Sequence, residues 1–329
     1  MQRALGNFGR ICSLLFSGFL ILGCSLKQAD LSESEKSSQD SLKVAVVQYP
    51  IEGNRGVADF SQKIEDFVQE AVSGNADLVI FPEYVSLDLW RLGSGLTEQQ
   101  MTRQIAEAFE NFYPELLVRL ALENEIWIIG GSYPRIVQSR MYNSSPIISP
   151  KGEIFFQDKI FLTPWEREVG LSKGNQISLI RGPWGLGAVL ICYDVEIPEL
   201  AQRLSPLSKR LNVLFVPSMT ESPEGLQRVL KTSAARAVEH HSFVVVSATV
   251  GAPSPTWRHY GKSSVYTPET KGHPGTLVSA DYGAPGIHFT DLDLALIRKT
   301  KESAGIYPVR DQLRFPARNL RLKVVHPVL

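Results

Sequence analysis

Cysteine is scarce in this chain: its 329 residues include only three, at positions 12, 24 and 192. A disulfide framework of the kind that staples small secreted domains is therefore excluded. No charge of one sign accumulates either, since 34 Lys and Arg stand against 34 Asp and Glu. Nucleic-acid binders carry a basic excess, and none exists here. Apolar runs are also limited: the one near the start, Ile11 to Leu22, falls short of the roughly 20 residues needed to span a bilayer. What is present is the make-up of an ordinary globular domain, with 43% hydrophobic and 9% aromatic residues.

Residues 1–23 have the parts of a secretory leader: Arg3 and Arg10 with no acidic residue, then the apolar run, then Gly23 before Cys24. Ile21-Leu22-Gly23-Cys24 resembles the bacterial lipobox, which implies cleavage before Cys24 and acylation of that cysteine. Residues 24–41 are rich in Ser, Glu, Lys, Gln and Asp and bury too little to order themselves, so they read as a flexible lipid tether. Several acyl chains on one site anchor stably where a single chain does not. The expected location is the cell envelope, lipid-anchored, facing the outer membrane or periplasm if the organism is Gram-negative. After processing, Cys192 is the one free thiol.

The domain is expected over residues 42–300, with a C-terminal tail at 301–329 rich in Arg and Pro. Lys43 to Tyr49, Ala76 to Phe81 and Ile126 to Gly130 read as buried strands, because short apolar runs bounded by turn residues fit strands covered on both faces. Val57 to Ser73 repeats its apolar residues at helical spacing, and Thr97 to Asn124 is a second helical region interrupted near Pro114. Met141 to Ile148 and Glu153 to Gln157 flank Ser149-Pro150-Lys151-Gly152, a hairpin turn. Leu186 to Ile191, Val213 to Val216 and Ser242 to Ala248 are further strands, the last fed by a helix over Gly225 to His240. Strands mixed with helices, some joined by hairpins, predict an α/β domain with mixed sheets and a single core.

Three polar segments each follow a strand: Phe81-Pro82-Glu83-Tyr84, then Asp158-Lys159 with Thr163-Pro164-Trp165-Glu166 beyond it, then Ile191-Cys192-Tyr193-Asp194. Side chains leaving neighbouring strand ends can share one pocket, and Glu, Lys and Cys are what attack on an unactivated amide requires. In this order the segments resemble the nitrilase, or carbon-nitrogen hydrolase, superfamily over residues 43 to about 290. The resemblance implies a four-layer αββα sandwich and a cofactor-free enzyme, assembled as a homodimer or higher homo-oligomer. It assigns Cys192 as nucleophile, Glu83 as general base and acid, and Lys159 as the cation facing the reacting carbonyl. A second glutamate is expected after the lysine; Glu166 is the choice, with Glu168 left open by the loop length. Tyr193, Trp165 and Glu168 are the expected substrate contacts.

The expected reaction is hydrolysis of a small linear amide or carbamoyl group, through a thioester, to acid plus ammonia or amine. Nitrile hydrolysis, N-acyl transfer and a catalytically silent envelope scaffold are the rivals. No metal is expected, because His240-His241 has no Cys or carboxylate at ligand spacing. Arg236 and Glu239 are expected to make structural hydrogen bonds.

Overall fold

The computed structural model describes residues 39–317, apart from 54, 92, 93 and 255. The leader, Cys24 and most of the tether lie outside the described residues, as does the end of the tail. The chain runs β1 (Ser41–Ile51), α1 (Val57–Ser73), β2 (Leu78–Phe81), α2 (Glu98–Phe109), α3 (Phe112–Asn124), β3 (Trp127–Gly130), β4 (Tyr133–Val137), β5 (Arg140–Ile148) and β6 (Ile154–Asp158). Then follow α4 (Pro164–Glu168), β7 (Leu179–Gly182), β8 (Gly185–Val189), α5 (Pro198–Leu204), β9 (Leu211–Ser218) and α6 (Pro223–His240). The remainder is β10 (Phe243–Ser254), β11 (Trp257–His259), β12 (Ser264–Thr270), β13 (His273–Ser279), β14 (Gly286–Asp293), α7 (Leu294–Ser303) and α8 (Pro308–Arg314).

β1 organises the rest because both of its faces are apolar. Leu42, Val44 and Val46 point into one core cluster, and Ala45, Val47, Tyr49 and Ile51 into the other. Such a strand belongs in the middle of a sheet. It pairs in parallel with β2, antiparallel with β14, and at its C-terminal end in parallel with β10. One sheet therefore runs outward from β1 through β2, β3 and β5, with β4 and β6 on β5. The other runs from β10 through β9, β8 and β7 on one side and through β12 and β13 on the other.

The two sheets face each other across a shared core. Trp184 lies against Trp127 of the first sheet and Phe215 of the second, with ring centroids 4.9 and 5.2 Å apart. Helices cover the outer faces. α1 and α3 place Phe60, Ile64, Leu117 and Leu120 in the cluster behind the first sheet, and α5 and α6 place Leu200, Val229 and Ala237 against the second. This is the four-layer αββα sandwich with mixed strand directions that the resemblance implied.

The expected elements form, with shifted ends. The helical region before Asn124 is two helices; the break falls at 110–111 and Pro114 sits in the first turn of α3, where its missing N–H costs nothing. The hairpin turn is in place, and Gly152 takes a left-handed φ of 78°. The domain boundary placed at 300 falls inside α7, where Lys301 is buried, and Tyr307 beyond it is fully buried with its hydroxyl donating to the His240 carbonyl. The part of the tail described here thus completes the core under α6.

Candidate active site

Three strand exits each deliver one candidate side chain. Glu83 follows β2, Lys159 follows β6, and Cys192 follows β8. β2 can pass close to the exit of β3 because Gly131 has no side chain; a Cβ there would overlap the Pro82 carbonyl. Both exits are bent sharply. Tyr84 and Cys192 take left-handed φ values of 55° and 47°, a conformation that costs a non-glycine residue of order 1–3 kcal/mol and persists only where the surroundings enforce it. After Cys192 the chain enters a 3-10 turn over Cys192–Glu196, so the amide N–H of Tyr193 lies at its unsatisfied start.

The groups converge. The Lys159 ammonium contacts Glu83 Oε1 at 2.8 Å and Glu166 Oε2 at 2.9 Å, and all three side chains are about 1% exposed. Glu166 sits at the start of α4, where its Oε2 also accepts the Thr163 N–H and hydroxyl in a capping box. Of the two glutamates left open by the sequence, Glu166 lies in this cluster, whereas Glu168 is exposed. The Thr-x-x-Glu spacing of Thr163 and Glu166 is a capping signature legible in the sequence, and it points to Glu166.

Two further residues complete the cluster and were not anticipated. Asn143, on β5 and fully buried, donates its amide to Glu83 Oε1 at 2.9 Å and to Glu166 Oε1 at 2.8 Å. The Tyr84 hydroxyl donates to Glu166 Oε1 at 2.8 Å. No local pattern announces Asn143, because its role depends on the register of β5 beside β6. Asp194 ties the two halves together by accepting the backbone N–H groups of Ile160 and Phe161; burial lifts its carboxyl to about 7.

Electrostatics divide the labour among these groups. Burial opposes the Lys159 charge, but Glu83 and Glu166 outweigh it and hold the ammonium well above the ordinary lysine value. Burial raises Glu83, assisted by the Glu166 charge and opposed by Lys159. For Glu166 the balance reverses: burial would raise it, yet Lys159, the Thr163 N–H and Asn143 together keep it below the usual carboxylate range. One carboxylate is thus kept ionised while its neighbour is poised to take a proton, the separation that distinguishes acid–base partners.

The Cys192 sulfur donates to the Met219 carbonyl at 3.3 Å and accepts the Ser218 hydroxyl at 3.5 Å. Glu83 Oε2 accepts the Met219 N–H at 3.0 Å. Lys159 pulls the thiol down, but burial and the Glu83 charge outweigh it. The resting sulfur is a thiol that needs a base. Trp165 and Tyr193 are half-buried beside these groups, and Trp165 stacks edge-on to Tyr84 at 5.5 Å. Arg236 bonds Glu239 at 2.7 Å and the Val195 carbonyl, which supports α6 on the Cys192 turn.

An αββα sandwich with Glu83, Lys159 and Cys192 at strand exits and Glu166 at a helix start defines the class. Residues 43–302 match the carbon-nitrogen hydrolase family, and the chain belongs to it. Among its relatives, "Probable hydrolase YhcX" of Bacillus subtilis is 28% identical over 279 residues, covering 83% of this chain and 54% of that protein. The chain therefore spans about half the length of that relative. Omega-amidase NIT2 of Danio rerio is 25% identical, with 80% of this chain and 92% of that protein covered. Solved structures share the fold: Saccharomyces cerevisiae Nit3, of branch 10 of the nitrilase superfamily, has a TM-score of 0.70 at 22% identity, covering 83% of this chain and 97% of that one. An amidase from Nesterenkonia sp. has a TM-score of 0.63 at 19% identity, covering 82% and 97%.

Proposed function

We propose that this protein hydrolyses a non-peptide C–N bond in a small linear amide or carbamoyl compound, using Cys192 as nucleophile. The observation that carries the reading is the buried ammonium of Lys159 held between Glu83 and Glu166, beside a cysteine on a strained turn. Amidases among the relatives of the family support it. Glu83 takes the thiol proton as sulfur adds to the amide carbon, so no free thiolate accumulates. The oxyanion that forms is received by Lys159 and the Tyr193 N–H; loss of one such donor typically costs about 3 kcal/mol of barrier. Glu83 then gives its proton to the departing nitrogen as the C–N bond breaks, which leaves a thioester. Glu83 next removes a proton from water, the hydroxide adds to the thioester carbon, and the C–S bond breaks with the proton returned to sulfur. Amide plus water becomes acid plus ammonia or amine. Glu166 stays ionised throughout and positions Lys159.

The test uses residues 42–329, which contain one cysteine. Ammonia or amine release from a panel of amides, carbamoyl compounds and nitriles is expected, strongest with amides. Cys192→Ser should lose it by at least about 10³-fold and lose labelling by a thiol probe. Slow labelling with no product from any panel member would overturn the reading in favour of a scaffold. Anchoring at the cell envelope through an acylated Cys24 belongs to the same proposal and rests on residues 1–41 alone. Fatty-acid incorporation should vanish in Cys24→Ala, and incorporation equal to wild type would remove the anchor.

A further inference from the structure

Three tryptophans from distant parts of the chain meet beside the cluster. Trp165 opens α4 next to Glu166, Trp90 closes the turn after Glu83, and Trp257 lies on β11. Trp90 is 6.5 Å from Trp165 and 5.2 Å from Trp257 between ring centroids. The arc is joined to the reacting groups at both ends. At one, Trp165 meets Tyr84, whose hydroxyl holds Glu166. At the other, the Trp257 indole N–H donates to Glu221 at 2.6 Å, two residues after Met219, which contacts both Cys192 and Glu83. The indole of Trp165 donates to Glu98 at 2.8 Å. Both carboxylates are exposed, while the rings are half-buried or, for Trp90, 8% exposed.

Indoles are costly to leave at a surface, and here the chain gathers three of them and fixes two by their N–H groups. A rigid apolar wall of this kind suits a flat apolar substituent. Glu98 and Glu221 give its rim a negative charge, which disfavours an anionic ligand by like-charge repulsion. Arg258 alternates with Trp257 along β11 and so faces the other way. Arg91 follows Trp90 and Arg167 lies two residues after Trp165, and both are exposed.

Building on the amidohydrolase reading, we propose that this arc binds the substituent carried by the substrate, and that the preferred class is an amide bearing an uncharged aryl group rather than one bearing a carboxylate. The wall supplies flat contact area and the rim glutamates exclude anions.

The test compares three primary amides of matched length on the wild-type enzyme, ending in phenyl, alkyl or carboxylate groups. The phenyl compound should exceed the carboxylate compound by about 10²-fold in kcat/KM. Trp165→Leu should lower kcat/KM for the phenyl amide about tenfold more than for acetamide. Glu98→Gln combined with Glu221→Gln should raise the carboxylate amide several-fold relative to the phenyl amide. If Arg91 or Arg167 instead recruits carboxylates, the carboxylate amide will be the best substrate, and the proposal fails. Equal loss on every amide in Trp165→Leu also overturns it, because that marks a structural role. Alkylation of Cys192 by chloroacetamides with N-benzyl or N-carboxymethyl groups separates recognition from turnover. Faster reaction of the benzyl probe supports the arc even where no amide is cleaved, whereas equal rates overturn it.

Discussion

Lys159 and Lys301 are both nearly sealed from water, at 1% and 6% exposure, yet they end in opposite states. Lys159 lies between Glu83 and Glu166 and is held charged well above the usual lysine range. Lys301 points at the carbonyls of Ser208 and Leu211 and at Asn212 Oδ1, with no carboxylate in contact among the described residues, and burial brings its amine down to about 7. Desolvation acts on both, and the partners decide the outcome. Formal charges supply what neutral oxygens do not. Lys159 is a fixed cation, while Lys301 is a structural donor whose charge is negotiable at neutral pH.

Removing the cation should break the contrast most severely. Lys159→Met leaves two carboxylates facing each other without water, and a buried pair broken on one side costs about 3–5 kcal/mol. We expect that loss in urea unfolding at pH 7.5, together with loss of turnover. Adding Glu83→Gln and Glu166→Gln should restore most of the stability and none of the activity, which separates charge burial from chemistry. If Lys159→Met unfolds like wild type, the carboxylates are not held by it.

A smaller effect is expected at the other lysine. Lys301→Met leaves three buried oxygens without their donor, at about 1–3 kcal/mol, with kcat unchanged. The pH dependence sharpens the point. The folded amine titrates near 7 and the unfolded one near 10.4, so the unfolded chain binds more protons between those values and stability rises across that window. Lys301→Met should flatten this rise. A slope between pH 7 and 10 equal to wild type would show that Lys301 keeps its charge when folded.

The smallest effect belongs to a neighbour of Lys301. His240 is buried with both ring nitrogens unpartnered, and burial, then Arg236 and Lys301, lower it to about 4. Its folded value lies below the unfolded 6.5, so it contributes stability above that value which is lost as the pH falls toward 4. His240→Leu should shift the acid unfolding midpoint downward and leave stability at pH 8 within about 1 kcal/mol, since no side-chain hydrogen bond is lost. An unchanged acid midpoint would show that His240 is not among the groups that set it.

Much of the architecture could be read along the chain. β1, β2 and β3 are apolar on both faces and cannot be anything but interior strands, and the β5–β6 turn carries its own Pro and Gly. Glu83, Lys159 and Cys192 each follow a strand, and strand ends are where such side chains meet. The Thr163–Glu166 capping box was also legible, because it is local. Asn143, the wall formed by Trp90, Trp165 and Trp257, and the burial of Lys301 and Tyr307 were not. Each depends on which strands become neighbours and in what register, and a one-residue slip sends every side chain to the other face.

The same division holds for the chemistry. Sequence alone determined which reactive groups are available: one thiol in the domain, an acid and a base at strand exits, and the polar segments around them. Only the tertiary structure decided their charge states, because those depend on how far water is excluded and on which groups share the space. It set Lys159 between two carboxylates and buried Cys192 near Glu83, so that burial and that charge push the thiol up against the pull of Lys159.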